Sequence, residues 1–270
     1  MSNDNNSNWG MPDFSKMFET LSQLRDIIYP AMGSYKQIQK ALTPIIEFAD
    51  TCSQKIKEAG RVIAEAARPI LAVEKMGEAQ FVCWEYLSND FINDIISTSN
   101  VNKTLTEYIK KDGYHTVNKT IDKCSSHYLM KKHHRLYTQS VDSFRNGHND
   151  LAVTGFTSVF DGLLSDISHN STTNLKNRID VIKKKIEKDE TLDHDEYATL
   201  SLAITLEKAL DSFSAFSDFS KKEPKELNRH WIAHGRSTRK RTKLDCVKMI
   251  NLIAGLLLIN DLESMSNNNG

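Results

Sequence analysis

Leu151 to Ile167, LAVTGFTSVFDGLLSDI, decides the fold. Ala152, Gly155, Phe156, Val159, Phe160, Leu163 and Ile167 return every three or four residues, the spacing of a helix face rather than the alternation of a strand. RNGHND stands just before it and offers Asn149 as an N-cap, and Gly155, lacking a Cβ, lets another helix come close. Downstream, a long helix from about Glu196 is expected to bury Leu202, Leu206, Leu210, Phe213 and Phe216, with Pro224 ending it or opening the next. Leu244 to Leu262 is the most apolar helix, and Asn174 to Lys188 between the two reads as an exposed Lys-rich stretch.

Upstream, Ala79 to Ile96 reads as an aromatic-rich amphipathic helix with Phe81, Trp84, Leu87, Phe91 and Ile95 on one stripe, followed by shorter helical segments at about 101–111 and 114–133. Helices are also expected at about 14–28, 34–58 and 60–75, with Pro44 and Pro69 as kinks or ends. Only 11 Gly and 5 Pro punctuate the 270 residues, so the expected fold class is all-α. The expected organisation is a disordered N-terminus over 1–12, a helical hairpin or extension over 13–75, one helical bundle over 79–263 and a disordered tail over 264–270.

Composition narrows the function classes. Lys plus Arg and Asp plus Glu both number 35, so any binding to nucleic acid must come from a local patch. MSNDNNSN is polar and does not resemble a secretory leader, and the mostly apolar run Val247 to Ile259 falls short of the roughly 20 residues a membrane span needs. A cytoplasmic protein without a membrane partner is expected. Cys52, Cys83, Cys124 and Cys246 form no CxxC pair and are expected to be reduced. Cys124, His127, His133 and His134 read as a solvated helix face rather than a metal site, and no cofactor is expected.

NRHWIAHG, Asn228 to Gly235, is the segment suited to chemistry. With ten Arg and nine His in the chain, about one Arg-x(4 to 6)-His pair is expected by chance, so the spacing of Arg229 and His234 says little alone. Its setting says more: Gly235 is a natural helix C-cap, which places His234 on the last turn of a short helix with its imidazole free to face a cleft. RSTRKRTK follows, and Arg236, Arg239, Lys240, Arg241 and Lys243 form a basic run that reads either as phosphate contacts or as a solvated loop. Trp231 and Trp84 are expected in the core.

An Arg, a polar residue, three more residues and a His, set before the last helix of an all-α bundle, resemble the HEPN domain, whose signature is R-x(4 to 6)-H. YTQSVDSFRNGHNDLAVTGFTSVFDGLLSD is similar to the helix pair that precedes this signature in HEPN proteins of phage-defence and abortive-infection type, and the resemblance spans roughly Leu136 to Asn260. It implies a metal-independent endoribonuclease acting as a toxin or antiviral effector, working as a homodimer in which two signatures meet and restrained by an antitoxin or a phage-derived trigger. It makes Arg229 and His234 the catalytic pair, His230 the auxiliary polar position and Asp161 a supporting acid. These residue types suit cleavage of RNA through its 2′-OH, because an imidazole can move a proton near neutral pH and a guanidinium can hold two phosphoryl oxygens. A bundle that binds RNA, a nucleotide or a partner without catalysis, and a helical scaffold whose N-terminal hairpin is the working part, are the alternatives.

Overall fold

The computed structural model describes residues 68–83, 88–170, 175–188 and 196–268, and among them every regular element is helical. The expected helices at 14–28 and 34–58, residues 60–67 of the one expected at 60–75, and Trp84 and Leu87, lie outside the described residues. Two compact units divide the chain, one of residues 1–69 and 86–94, the other of residues 70–85 and 95–270. Residues 70–78 belong with the bundle because their helix comes so close to its neighbour that a Cβ on Gly77 would lie 2.9 Å from Cβ of Lys208.

The elements are α1 (Asn89–Ser97), α2 (Val101–Lys111), α3 (His115–Ser126), a 3₁₀ turn (Tyr128–Lys132), α4 (His134–Arg145), α5 (Asn149–Ser168), α6 (Leu175–Lys188), α7 (Glu196–Ser214), α8 (Arg229–Ala233) and α9 (Lys243–Asn268). In the second unit α5 is the central member, packed between α4 and α9 and touching α6 and α8. Val153, Leu164 and the expected apolar stripe other than half-buried Gly155 are buried, so α5 buries more than a single face. Gly155 makes the expected close approach: a Cβ there would lie 2.1 Å from Ser140 Oγ on α4. Cys246, Met249, Ile250, Ile253 and Leu256 of α9 supply the facing layer.

Several expectations change. Asn149 is the first residue of α5 and not its cap; its amide Nδ2 donates to the Arg241 carbonyl at 3.3 Å. The span 114–133 splits in two because His127 is extended and its imidazole accepts the Leu129 N–H. The Lys-rich stretch is the helix α6, with Leu175, Ile179 and Ile182 buried at helical spacing. α9 continues through Ser264 to Asn268, a segment with no Gly or Pro to stop it.

The largest departure is at 79–83, which is not helical. Gln80 adopts a left-handed backbone (φ 59°), which ends the preceding helix, and Phe81, Val82 and Cys83 run on as a buried strip without regular structure. Its backbone groups find side-chain partners: Cys83 N–H donates to Thr205 Oγ1 at 3.0 Å, and the Val82 carbonyl accepts from Asn251 Nδ2 at 3.3 Å. No helix among the described residues is long and apolar enough to cross a membrane.

Candidate functional site

One turn of helix, α8, forms the middle of NRHWIAHG, and the chain secures it at both ends. At its start Asn228 is buried and its Oδ1 accepts the Trp231 N–H at 3.3 Å, the N-cap role for which an Asn is suited. The same side chain donates from Nδ2 to the Ala215 carbonyl at 2.8 Å. One residue earlier, the Gln80 amide grips the backbone of Leu227: Leu227 N–H donates to Gln80 Oε1 and Gln80 Nε2 donates to the Leu227 carbonyl, both at 2.7 Å. The left-handed bend at Gln80 is what turns this amide toward α8.

At the end of α8, Gly235 takes φ 62°, Gly235 N–H donates to the Ile232 carbonyl at 3.1 Å and Arg236 N–H to the Trp231 carbonyl at 2.9 Å. These two bonds make a Schellman motif, with His234 as the C-cap, immediately after the last helical turn, and Gly235 in the left-handed position. His234 is exposed, as the glycine after it suggested, whereas Trp231 is buried in the core.

Around α8 the structure gathers four of the expected residues. Arg229 Nη2 and Nε donate to Asp161 Oδ2 at 2.7 and 3.0 Å. Asp161 is itself fixed from α6, where buried Arg178 donates to the Asp161 carbonyl at 3.1 Å. His230 and His234, one turn apart, hold their rings nearly parallel with centroids 6.0 Å apart. Burial, then the charges of Arg229 and His234, push the His230 imidazole below its ordinary value, against a smaller opposing pull from Asp161. His230 therefore favours its neutral form at neutral pH and can accept a proton.

Two aromatic residues join them. Phe216 was expected in the buried stripe of α7, but that helix ends at Ser214, and Phe216 beyond it is 84% exposed with its ring edge-on to His230 at 5.6 Å. Phe219 packs edge-on to both Trp231 (5.3 Å) and His234 (5.6 Å), and the Arg236 guanidinium lies over its ring at 5.5 Å. Sequence reading missed Phe219, Gln80 and Arg178 as parts of the site. The available signal was SDFSKKEP, in which Phe219 stands in a polar segment with no helical register to bury it.

The basic run divides. Arg239 forms a forked pair with Asp245 at 3.1 and 3.2 Å, and Arg241 is buried with Nη2 3.2 Å from Glu223 Oε1. Both are committed to holding the loop, so neither is a free phosphate contact. Glu223 also accepts from Ser237 Oγ (2.5 Å), Thr238 N–H (2.9 Å) and Arg239 N–H (3.1 Å). Burial pushes the Glu223 carboxyl up, but these hydrogen bonds and the Arg241 charge outweigh it and hold it below the usual range. Arg236, Lys240 and Lys243 are exposed, and Lys243 Nζ lies 5.5 Å from the Tyr114 ring centroid.

The Cys/His group is not the solvated face that was expected. Cys124 is buried, its thiol pushed up to about 12 by burial. His127 Nε2 meets Asp261 at 2.9 Å and His133 Nε2 meets Asp166 at 3.1 Å, so the two rings face different carboxylates. Among the described residues no group of three or more His, Cys, Asp or Glu side chains could hold a metal ion.

Chemically, α8 presents two imidazoles and a partly buried guanidinium–carboxylate pair beside exposed aromatic surface. Such a set can exchange protons and can attract a phosphate diester. Comparison with known protein families, with curated proteins and with solved structures finds no match.

Proposed function

We propose that this chain is an endoribonuclease of the HEPN type that cleaves RNA by 2′-OH attack on the adjacent phosphate. The observation that carries the reading is the convergence on His230 of Arg229, His234 and Asp161, of which Asp161 comes from a helix 68 residues earlier than Arg229. His234, exposed at the helix end, and His230, held toward the neutral form, would divide the work of acid and base. Arg229 would face the charge that grows on the phosphoryl oxygens. Phe216 and Phe219 offer rings on which a base can stack, and Arg236 and Lys240 offer salt-sensitive phosphate contacts. One such set is few for the task, and a homodimer placing two α8 helices in one groove would supply the second. A defence effector or toxin restrained by an antitoxin or a phage-derived trigger is the biological setting this chemistry fits.

A second reading has one observation in its favour. Arg229 points two of its donors at Asp161, which neutralises the cation, as a structural arginine in a bundle that binds RNA without cutting it would be neutralised. One experiment separates the two. Purified protein and its His234→Ala and Arg229→Ala variants are incubated with total RNA in the presence of a chelator, and the cleaved ends are mapped. New 2′,3′-cyclic phosphate ends that vanish in both variants, with helical circular dichroism unchanged, are expected. RNA that is bound but left intact by the wild type would favour the second reading.

A further inference from the structure

A second concave site lies apart from α8. One side of α2 from Asn102 to Lys110, the first turns of α9 and the loops at Lys225–Glu226 and Arg239–Thr242 line an open cavity of about 820 Å³ that none of Arg229, His230, His234 or Asp161 lines. That volume lies within the range of small-molecule sites. Six basic and three acidic side chains line it, and two of the acids already face a cation. Asp245 is held by the Arg239 fork and by Thr242 N–H at 2.8 Å, and Glu107 lies 3.9 Å from Lys103.

The decisive residue is Lys248, in the second turn of α9. It is 4% exposed, lines the cavity, and has no hydrogen-bond or ion-pair partner among the described residues. Burial, with some repulsion from Arg239, pushes its ammonium down to about 8, against the opposing charges of Asp245 and Glu226. A lysine in this state is costly to keep unless an anion completes it. The same wall carries Arg239 Nε, a buried donor that also lacks a hydrogen-bond partner. Exposed Lys225 and Lys243 stand at the rim, and Tyr114 borders the cavity with an aromatic ring.

We propose that this cavity binds a phosphorylated small molecule of nucleotide size, with a phosphoryl group paired to Lys248 and with Lys225 and Lys243 as further contacts. The phosphoryl class is favoured because several cations converge where a single carboxylate would leave most of them unpaired, and the volume exceeds what inorganic phosphate alone fills.

The test is calorimetric titration of the full chain with ATP, inorganic pyrophosphate, adenosine and a short oligouridylate. ATP and pyrophosphate should bind and adenosine should not. Lys248→Met should weaken both at least tenfold, and the exposed variant Lys225→Glu, which has no packing to lose, should weaken them several-fold. His234→Ala should leave both affinities unchanged, which keeps this site distinct from the RNA-cleaving reading. Three results would each overturn the proposal: no binding of ATP or pyrophosphate to the wild type, affinities indifferent to both lysine substitutions, or Lys248-dependent binding of oligouridylate alone.

Discussion

Arg229 and Asp161 meet in an ion pair whose shorter prong, Nη2 to Oδ2, is 2.7 Å, with only about a fifth of either side chain exposed. Removing the carboxylate strands a half-enclosed guanidinium. Asp161→Ala should therefore cost about 1–2 kcal/mol, less than the full penalty of a deeply buried pair because water still reaches both groups. Asp161→Asn, which keeps an acceptor, should cost less. Thermal unfolding of the three proteins checks the order, and equal melting temperatures would mean that the pair contributes nothing to stability.

The His230 imidazole should titrate below the ordinary histidine value, because burial and the charges of Arg229 and His234 all oppose its cation. Arg229→Gln removes one of these and should move the titration upward. Nitrogen-edited NMR of the imidazoles across pH 4 to 8 reads both. A downward move would show that loss of Arg229 also releases Asp161 from the ring.

Gln80 gives the sharpest test of how α8 is held. Gln80→Gly preserves the left-handed backbone but removes both bonds to Leu227, leaving a buried N–H and carbonyl without their partners. A loss of about 2–3 kcal/mol is expected. In denaturant titrations the midpoint should fall, and the proposed ribonuclease activity should fall with it as α8 loses its anchor.

How much of this could be read beforehand follows from what each residue depends on. α5 and α9 were legible because their apolar spacing is local and strong. His234 at a glycine-ended turn was legible because the Schellman motif needs only five or six consecutive residues. Gln80 was not, since its left-handed backbone and the irregular strip after it find their partners in Leu227, Thr205 and Asn251, all more than 120 residues away. The periodicity of Phe81 with later aromatic residues suggested a helix that those distant partners override. Phe216 kept the spacing of the α7 stripe, but the helix ends before reaching it. For the basic run, composition counted charges and could not show that Glu223 and Asp245 would neutralise two of them.

Lys248 should act against stability in the empty protein. Its ammonium is held at about 8 against an ordinary 10.5, so Lys248→Met should stabilise by up to about 3 kcal/mol at pH 7, where folded and unfolded chains both carry the proton. As pH rises from 8 to 10.5 the folded chain sheds this proton first, the burden on the wild type is relieved, and the gap between the two proteins should close. Arg239, Asp245 and Glu226 are the charges that act on the group. Chemical denaturation at pH 7 and pH 10 measures it. An unchanged gap would mean that Lys248 is not the titrating group.

Glu223 has a mechanical meaning. The chain leaving Gly235 runs through Ser237, Thr238, Arg239 and Arg241 before it enters α9, and this one carboxylate clasps all four. The connection is a stiff strut rather than slack rope. The lysine-lined cavity and the helix of Arg229 and His230 are thus joined by eight residues, 235–242, half of them tied to a single carboxylate.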